Sequence, residues 1–294
     1  MKRTFPCLAL FFLCGFQAFA QFIPSAKAIA DIRTKAEQGD AQAQCNLGLF
    51  YQNGNGVAKD VAEALKWYRK AAEQGNAPAQ LNLGDCYAFS NGVPRDDAEA
   101  VKWYRKAAEL GNAVAQYNLG GYYYKGEGVP KDAVEAAKWY RKSAEQGYAP
   151  AQSNLGVCCA NGEGLPKNVA EAYTWFRKGA EQGYDQAEYY LGACYNAGTG
   201  VAIDQALAAI WYRKAAEQGN ALAQFCTGIC YGNGSGVQKN DVEAYIWFSL
   251  SAASGFTEAG KCREIMAKKM MPKQISEAEQ KVREWKPKKE IAGR

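Results

Sequence analysis

The apolar positions of this chain repeat on two scales. Within residues 40–75, Ala43, Leu47, Phe50 and Tyr51 make one stripe. Ala64, Trp67, Tyr68 and Ala71 make a second, with Lys66, Arg69, Lys70 and Glu73 opposite it. Stripes spaced near 3.6 residues predict two amphipathic helices: an A helix over about residues 40–52 and a B helix from near Asp60 to Glu73. Between them, Asn53-Gly54-Asn55-Gly56 reverses the chain, glycine supplying the positive φ that other residues avoid.

The pair then returns every 36 residues on three registers. Glycines recur from Gly39 through Gly255, tryptophans from Trp67 through Trp247, and a Leu-Gly pair from Leu47-Gly48 through Leu191-Gly192, becoming Thr227-Gly228 in the sixth copy. Constant spacing of this kind predicts a stack of helix pairs forming one quasi-linear body. The expected fold class is an all-α solenoid of six full repeats, at 40–75, 76–111, 112–147, 148–183, 184–219 and 220–255. Residues 21–39, with Ala28, Ile29, Ile32 and Ala36 on one side, are expected to form an N-terminal capping helix. Residues 257–285 are expected to form C-terminal capping helices: a seventh A helix broken by Pro272, then a final helix opened by the capping box Ser276-Glu277-Ala278-Glu279. Residues 286–294 read as a basic, disordered tail.

The glycine of each Leu-Gly pair falls in mid-helix, where it costs about 1 kcal/mol relative to alanine. Recurrence at one phase calls for a compensating cause. The expected one is close approach of a neighbouring helix, with a Trp or Tyr ring laid across the gap.

A 36-residue helix pair reading A-x-A-Q-x-N-L-G, then G-x-G-V-x-K-D, then E-A-x-K-W-Y-R-K-A-A-E-Q-G, resembles the Sel-one-like repeat, a branch of the tetratricopeptide-like superfamily. The resemblance covers residues 40–256. It implies a right-handed αα superhelix whose A helices line a concave side, and a role as a scaffold or adaptor that binds protein or peptide there. In bacteria it also implies frequent export.

Residues 1–20 agree with export. Lys2 and Arg3 precede an apolar run, and Ala18-Phe19-Ala20 is a small-x-small site, so a cut is expected after Ala20. A periplasmic or secreted protein follows, with no integral membrane segment after cleavage. Net charge is +5, with two basic residues in that leader and eleven basic against five acidic residues in 261–294, so residues 21–260 carry −3. A mildly acidic array has no nucleic-acid footprint.

Catalytic chemistry finds little support. The chain has no histidine, which removes Ser-His and Cys-His pairs and histidine metal sites. Ser-x-x-Lys, Lys-Thr-Gly and Ser-Asp-Asn are missing too. The segment from Gly255 to Cys262 imitates a phosphate loop, but cysteine stands where the magnesium-binding hydroxyl belongs and no strand precedes it. No cofactor, metal or enzymatic activity is expected. Glu63, Glu99 and Glu135 recur as regularly as the turns do, and read as surface partners of lysines one turn on.

Cys86, Cys158, Cys194 and Cys230 share one phase, and equivalent helices lie about 8–10 Å apart, too far for bridging. They read as small buried apolar residues. Cys226, Cys230 and Cys262 remain the candidates for a disulfide.

The candidate binding residues are those on the next face of the A helices, where the copies differ. Asp85, Tyr117, Tyr124, Tyr189 and Phe225 are the expected anchors. Asn82, Asn118 and Asn154 share one phase, open to either an inter-repeat hydrogen bond or the peptide-holding polar ladder of related repeats. The functional expectation is a monomeric, exported, non-enzymatic protein that binds protein or peptide. Two alternatives stand beside it: a cell-envelope enzyme or antibiotic-binding protein akin to β-lactamase-like relatives, and a secreted host-interaction factor.

Overall fold

The computed structural model describes residues 25–288; the leader expected over residues 1–20 and the tail residues 289–294 lie outside the described residues. Those described form fifteen helices and no strand: α1 (Ala26–Glu37), α2 (Ala41–Asn53), α3 (Val61–Glu73), α4 (Ala77–Ala88), α5 (Asp97–Glu109), α6 (Ala113–Lys125), α7 (Ala133–Glu145), α8 (Ala149–Asn161), α9 (Val169–Glu181), α10 (Asp185–Ala197), α11 (Gln205–Glu217), α12 (Ala221–Asn233), α13 (Asp241–Ala253), α14 (Thr257–Ala267) and α15 (Pro272–Glu284). The architecture is an all-α solenoid. None of these helices is long and apolar enough to cross a membrane.

The chain divides into two compact units after Tyr148. In the first, each helix from α1 to α7 packs on the next. The A helices are α2, α4 and α6; the B helices are α3, α5 and α7. Helix α1 is itself the B half of an incomplete repeat: Arg33 donates to the Tyr51 hydroxyl at 3.2 Å as Arg69 does to Tyr87 at 2.8 Å. In the second unit, α8, α10, α12 and α14 are A-type, and α9, α11 and α13 are B-type. Helix α15 packs against α13.

Local chemistry sets these boundaries. Before the A helices, Asp40, Asn76, Asn112 and Asn220 each accept from a first-turn N–H. Asp60, Asp96, Asp132, Asn168, Asp204 and Asn240 do the same before the B helices. Each such cap satisfies an N–H that the helix cannot. The second glycine of the A–B turn has a steric reason too. A Cβ on Gly128 would stand 2.3 Å from the carbonyl oxygen of Asp97, at the start of the preceding B helix.

The mid-helix glycines lie under rings, as expected, and the ring is that of the second aromatic in Trp-Tyr, not of the tryptophan. Tyr68, Tyr104, Tyr140, Phe176, Tyr212 and Phe248 cover Gly48, Gly84, Gly120, Gly156, Gly192 and Gly228, and a Cβ would meet each ring at 2.5–2.8 Å. The tryptophans lie further out, with Lys70, Lys106, Lys142, Lys178 and Lys214 held 4.0–4.3 Å above their rings.

A glutamine clamp joins neighbouring helices. Buried Gln44 donates to the Ala36 carbonyl at 3.0 Å and accepts from Gln74 at 2.7 Å. Gln116 repeats both bonds with Ala108 and Gln146. Two copies lack the donor that serves the clamp's acceptor oxygen. Leu110 stands where Gln80 needs its donor and Ser254 where Gln224 needs one, and both acceptor oxygens, Gln80 Oε1 and Gln224 Oε1, are buried without a partner.

The C-terminal end departs from expectation. Pro272 does not break a helix; it opens α15 as its first residue. The position suits proline because the N–H it lacks would have no partner there. Gln274 closes the box by accepting from Met271 N–H at 2.8 Å, and Ser276 lies inside the helix. The start of the basic tail is also held in place. Lys288 donates through its backbone to the Glu217 carbonyl at 2.8 Å and through Nζ to the Glu217 carboxylate at 2.9 Å.

Candidate functional site

The site-bearing face of the first unit is built around α4. Gly84 admits the Tyr104 ring from α5, and that places the Tyr104 hydroxyl at the next residue, Asp85, where it donates to Oδ1 at 2.7 Å. Asn118, one repeat on in α6, lies close to the Tyr104 hydroxyl. Asp85 Oδ2 has no partner among the described residues and is not sealed from solvent. Burial raises the Asp85 carboxyl, and the donated bond only partly offsets it, leaving the group pushed up to about 6.

Beside it stands an aromatic wall. Tyr117 of α6 is half-buried, its ring 5.9 Å from Tyr140 and 5.4 Å, edge-on, from Tyr148. Burial raises the Tyr148 hydroxyl to about 12, and the neighbouring Tyr117 and Asp85 add to the effect. Tyr124, at the end of α6, is the exposed member of the set, with Lys131 5.7 Å from its ring centroid.

Asn82 of α4 reaches back one repeat to donate to the Cys45 sulfur at 3.9 Å. Asn82 and Asn118 therefore both take part in contacts between repeats. Asn154, on α8, is half-buried in the second unit.

In the second unit the predicted anchors are packed more than displayed. Tyr189 lies 5.2 Å from the Tyr190 ring and 6.0 Å from Tyr212. Phe225 lies 5.6 Å from Phe248 and 4.8 Å from Phe256. Cys226 and Cys230 of α12 and Cys262 of α14 are free thiols in this structure. Burial raises the Cys226 thiol to about 11, well above the range of a reactive thiolate. Among the described residues no cluster of Cys, Asp and Glu could hold a metal ion.

Six copies of the Sel1 repeat match residues 41–76, 77–112, 113–148, 149–184, 185–220 and 221–256. The chain belongs to the Sel1 repeat family. A Sel1 repeat protein of Oxalobacter formigenes with a known crystal structure is 36% identical, over 76% of this chain and 90% of its own, with a TM-score of 0.71. A protective antigen present in uropathogenic Escherichia coli strains, displaying an SLR fold, is 29% identical, over 88% of this chain and 79% of its own, with a TM-score of 0.50. A comparison with curated protein sequences finds no match. Sel1 repeat proteins are in general protein-interaction scaffolds, and typically non-catalytic.

Within this Sel1 array, sequence reasoning missed two members of the site. Tyr104 looks like one more packing tyrosine, because five other copies carry an aromatic at its phase. Tyr148 carried a usable signal. Its phase is filled by the cap residues Asp40, Asn76, Asn112 and Asn220 in four copies, and by Tyr148, Tyr184 and Phe256 elsewhere. Tyr184 and Phe256 make no side-chain cap bond. Losing such a cap costs about 1 kcal/mol, so an aromatic here is a local rule broken in favour of the neighbouring face.

Proposed function

We propose that this Sel1 repeat protein is an exported, non-enzymatic adaptor that binds a protein or peptide on the exposed face of its A helices. The observation that carries the reading is where the copies agree and where they differ. Glycine and its covering ring recur in all six copies, the buried leucine in five, and a polar cap precedes every B helix. The face next to them changes from Cys45 and Leu49 to Leu81 and Asp85, then Tyr117 and Gly121. Packing demands sameness, whereas a recognition surface needs local variety. Rigid aromatic rings at Tyr117, Tyr124 and Tyr148 supply contact area at small entropic cost.

Export rests on the leader of residues 1–20 alone. Fractionation of the native cells, with the mass of the recovered chain, tests it: a chain beginning at Gln21 in the periplasm or medium is expected, and a chain retaining residues 1–20 in the cytosol would contradict it. Binding is tested by affinity recovery from the same fraction, using the wild type and a Tyr124→Ala, Tyr148→Ala variant with an unchanged circular dichroism spectrum. The expected result is a partner kept by the wild type and lost by the variant. Equal recovery by both would contradict the A-helix face.

A further inference from the structure

We infer that the A-helix face of the first unit takes a lysine or arginine side chain of a partner peptide at Asp85, beside the Tyr104 hydroxyl and the Tyr117–Tyr148 wall. The inference rests on the peptide-binding reading above and gives it a chemistry.

The surface acids of the B helices show by contrast what is unusual about Asp85. Glu63, Glu99 and Glu135 each hold a lysine one turn on, at 2.8, 2.8 and 2.6 Å. Asp85 has no Lys or Arg partner among the described residues; its one donor is the neutral Tyr104 hydroxyl. A carboxylate kept half-buried without a cation is costly to the free protein. That expense is recovered when a cation arrives and neutralises it in a partly dry setting.

The remaining geometry matches the same occupant. Oδ1 is engaged by Tyr104, and Oδ2 is left for an incoming donor. Tyrosine faces attract ammonium and guanidinium groups and pack the aliphatic stem behind them. An acidic ligand would meet an uncompensated negative charge. The titratable groups that sense Asp85 are Tyr104, Tyr68 and Cys86, with Tyr148 across the face. All of them are neutral near neutral pH and none can carry a positive charge, so no neighbouring group serves Asp85 as a counter-ion.

Phage-displayed short peptides selected on the immobilised full chain at about pH 7.5, with Asp85→Asn as the parallel target, test this. Asparagine keeps an acceptor for Tyr104, and matched far-ultraviolet circular dichroism spectra verify the fold. The wild type is expected to select a shared Lys or Arg. A synthetic, end-blocked peptide of that consensus should bind Asp85→Asn about tenfold more weakly. Replacing the basic residue by glutamine should cost the wild type the same factor and the variant nothing more. Selected peptides with no basic position, or equal binding by both proteins, would overturn the inference and leave the peptide-binding reading intact. No peptide enriched over a blank surface would overturn both.

Discussion

A Cβ placed on Gly84 would stand 2.7 Å from both Cδ1 and Cε1 of Tyr104. The helix of one half-repeat thus gives up a side chain so that the ring of the next half can lie flat against its backbone. Tyr104 is almost fully buried and tied to Asp85 at 2.7 Å, so its ring has little freedom to retreat. Gly84→Ala adds helix propensity worth about 1 kcal/mol, yet overpacking a rigid site costs about 1–3 kcal/mol. A net loss of stability is expected in urea unfolding at constant m-value. Gly84→Leu, with far more to accommodate, should lower the melting temperature steeply.

The broken glutamine clamp can be mended. Gln80 Oε1 is buried without a donor because Leu110 replaces the glutamine that serves Gln44 at 2.7 Å. Leu110 is itself 58% exposed, so little packing is lost by changing it. Leu110→Gln should therefore stabilise the chain by about 1 kcal/mol. Ser254→Gln should do the same for Gln224. Both are measured as shifts of the urea midpoint.

Ser90 is the one described non-glycine residue with positive φ, at 58°, and it stands where Gly54 and Gly126 cap the A helices of other copies. A left-handed conformation costs an L residue about 1 kcal/mol. Ser90→Gly is expected to recover most of that, less what glycine adds to the entropy of the unfolded chain. Thermal melts of the two proteins check the sign.

Asp85 gives stability a pH dependence. Its carboxyl is pushed up to about 6 in the fold against 3.8 for the free side chain, with burial as the main cause. The folded state therefore holds the proton more firmly than the unfolded chain. The contribution of Asp85 is most favourable below about pH 4, falls as pH rises towards about 6, and is level above that. Ionised Asp85 costs roughly 3 kcal/mol on this scale. Asp85→Asn should be more stable than the wild type by that order at about pH 8, with the difference vanishing below about pH 4. Urea unfolding at both pH values reads it directly.

The repeat length, the helix pairs and the glycine–ring contact were legible in the sequence because each is enforced several times over. A glycine that recurs in mid-helix contradicts local propensity, and only close packing resolves the contradiction. The C-terminal end was harder to read. Proline signals both the stop of one helix and the first residue of another, and Gln274 performed the capping that Ser276 promised. The docking of Lys288 on Glu217 joins residues 71 apart through one ion pair and one backbone bond, which leaves no periodic trace. Asp85 could be singled out as an odd residue on a variable face. Its tyrosine donor could not, since Tyr104 repeats the phase of Tyr68 and Tyr140 and only the fold shows where the hydroxyl ends.

Site-specific photo-crosslinking in the native cells tests the central claim most directly. A benzophenone side chain replaces exposed Tyr124 on the A-helix face in one protein, and exposed Lys102 on a B helix in another. The account predicts a discrete crosslinked partner from position 124 and none from position 102. A partner captured from position 102, with position 124 silent, would contradict it.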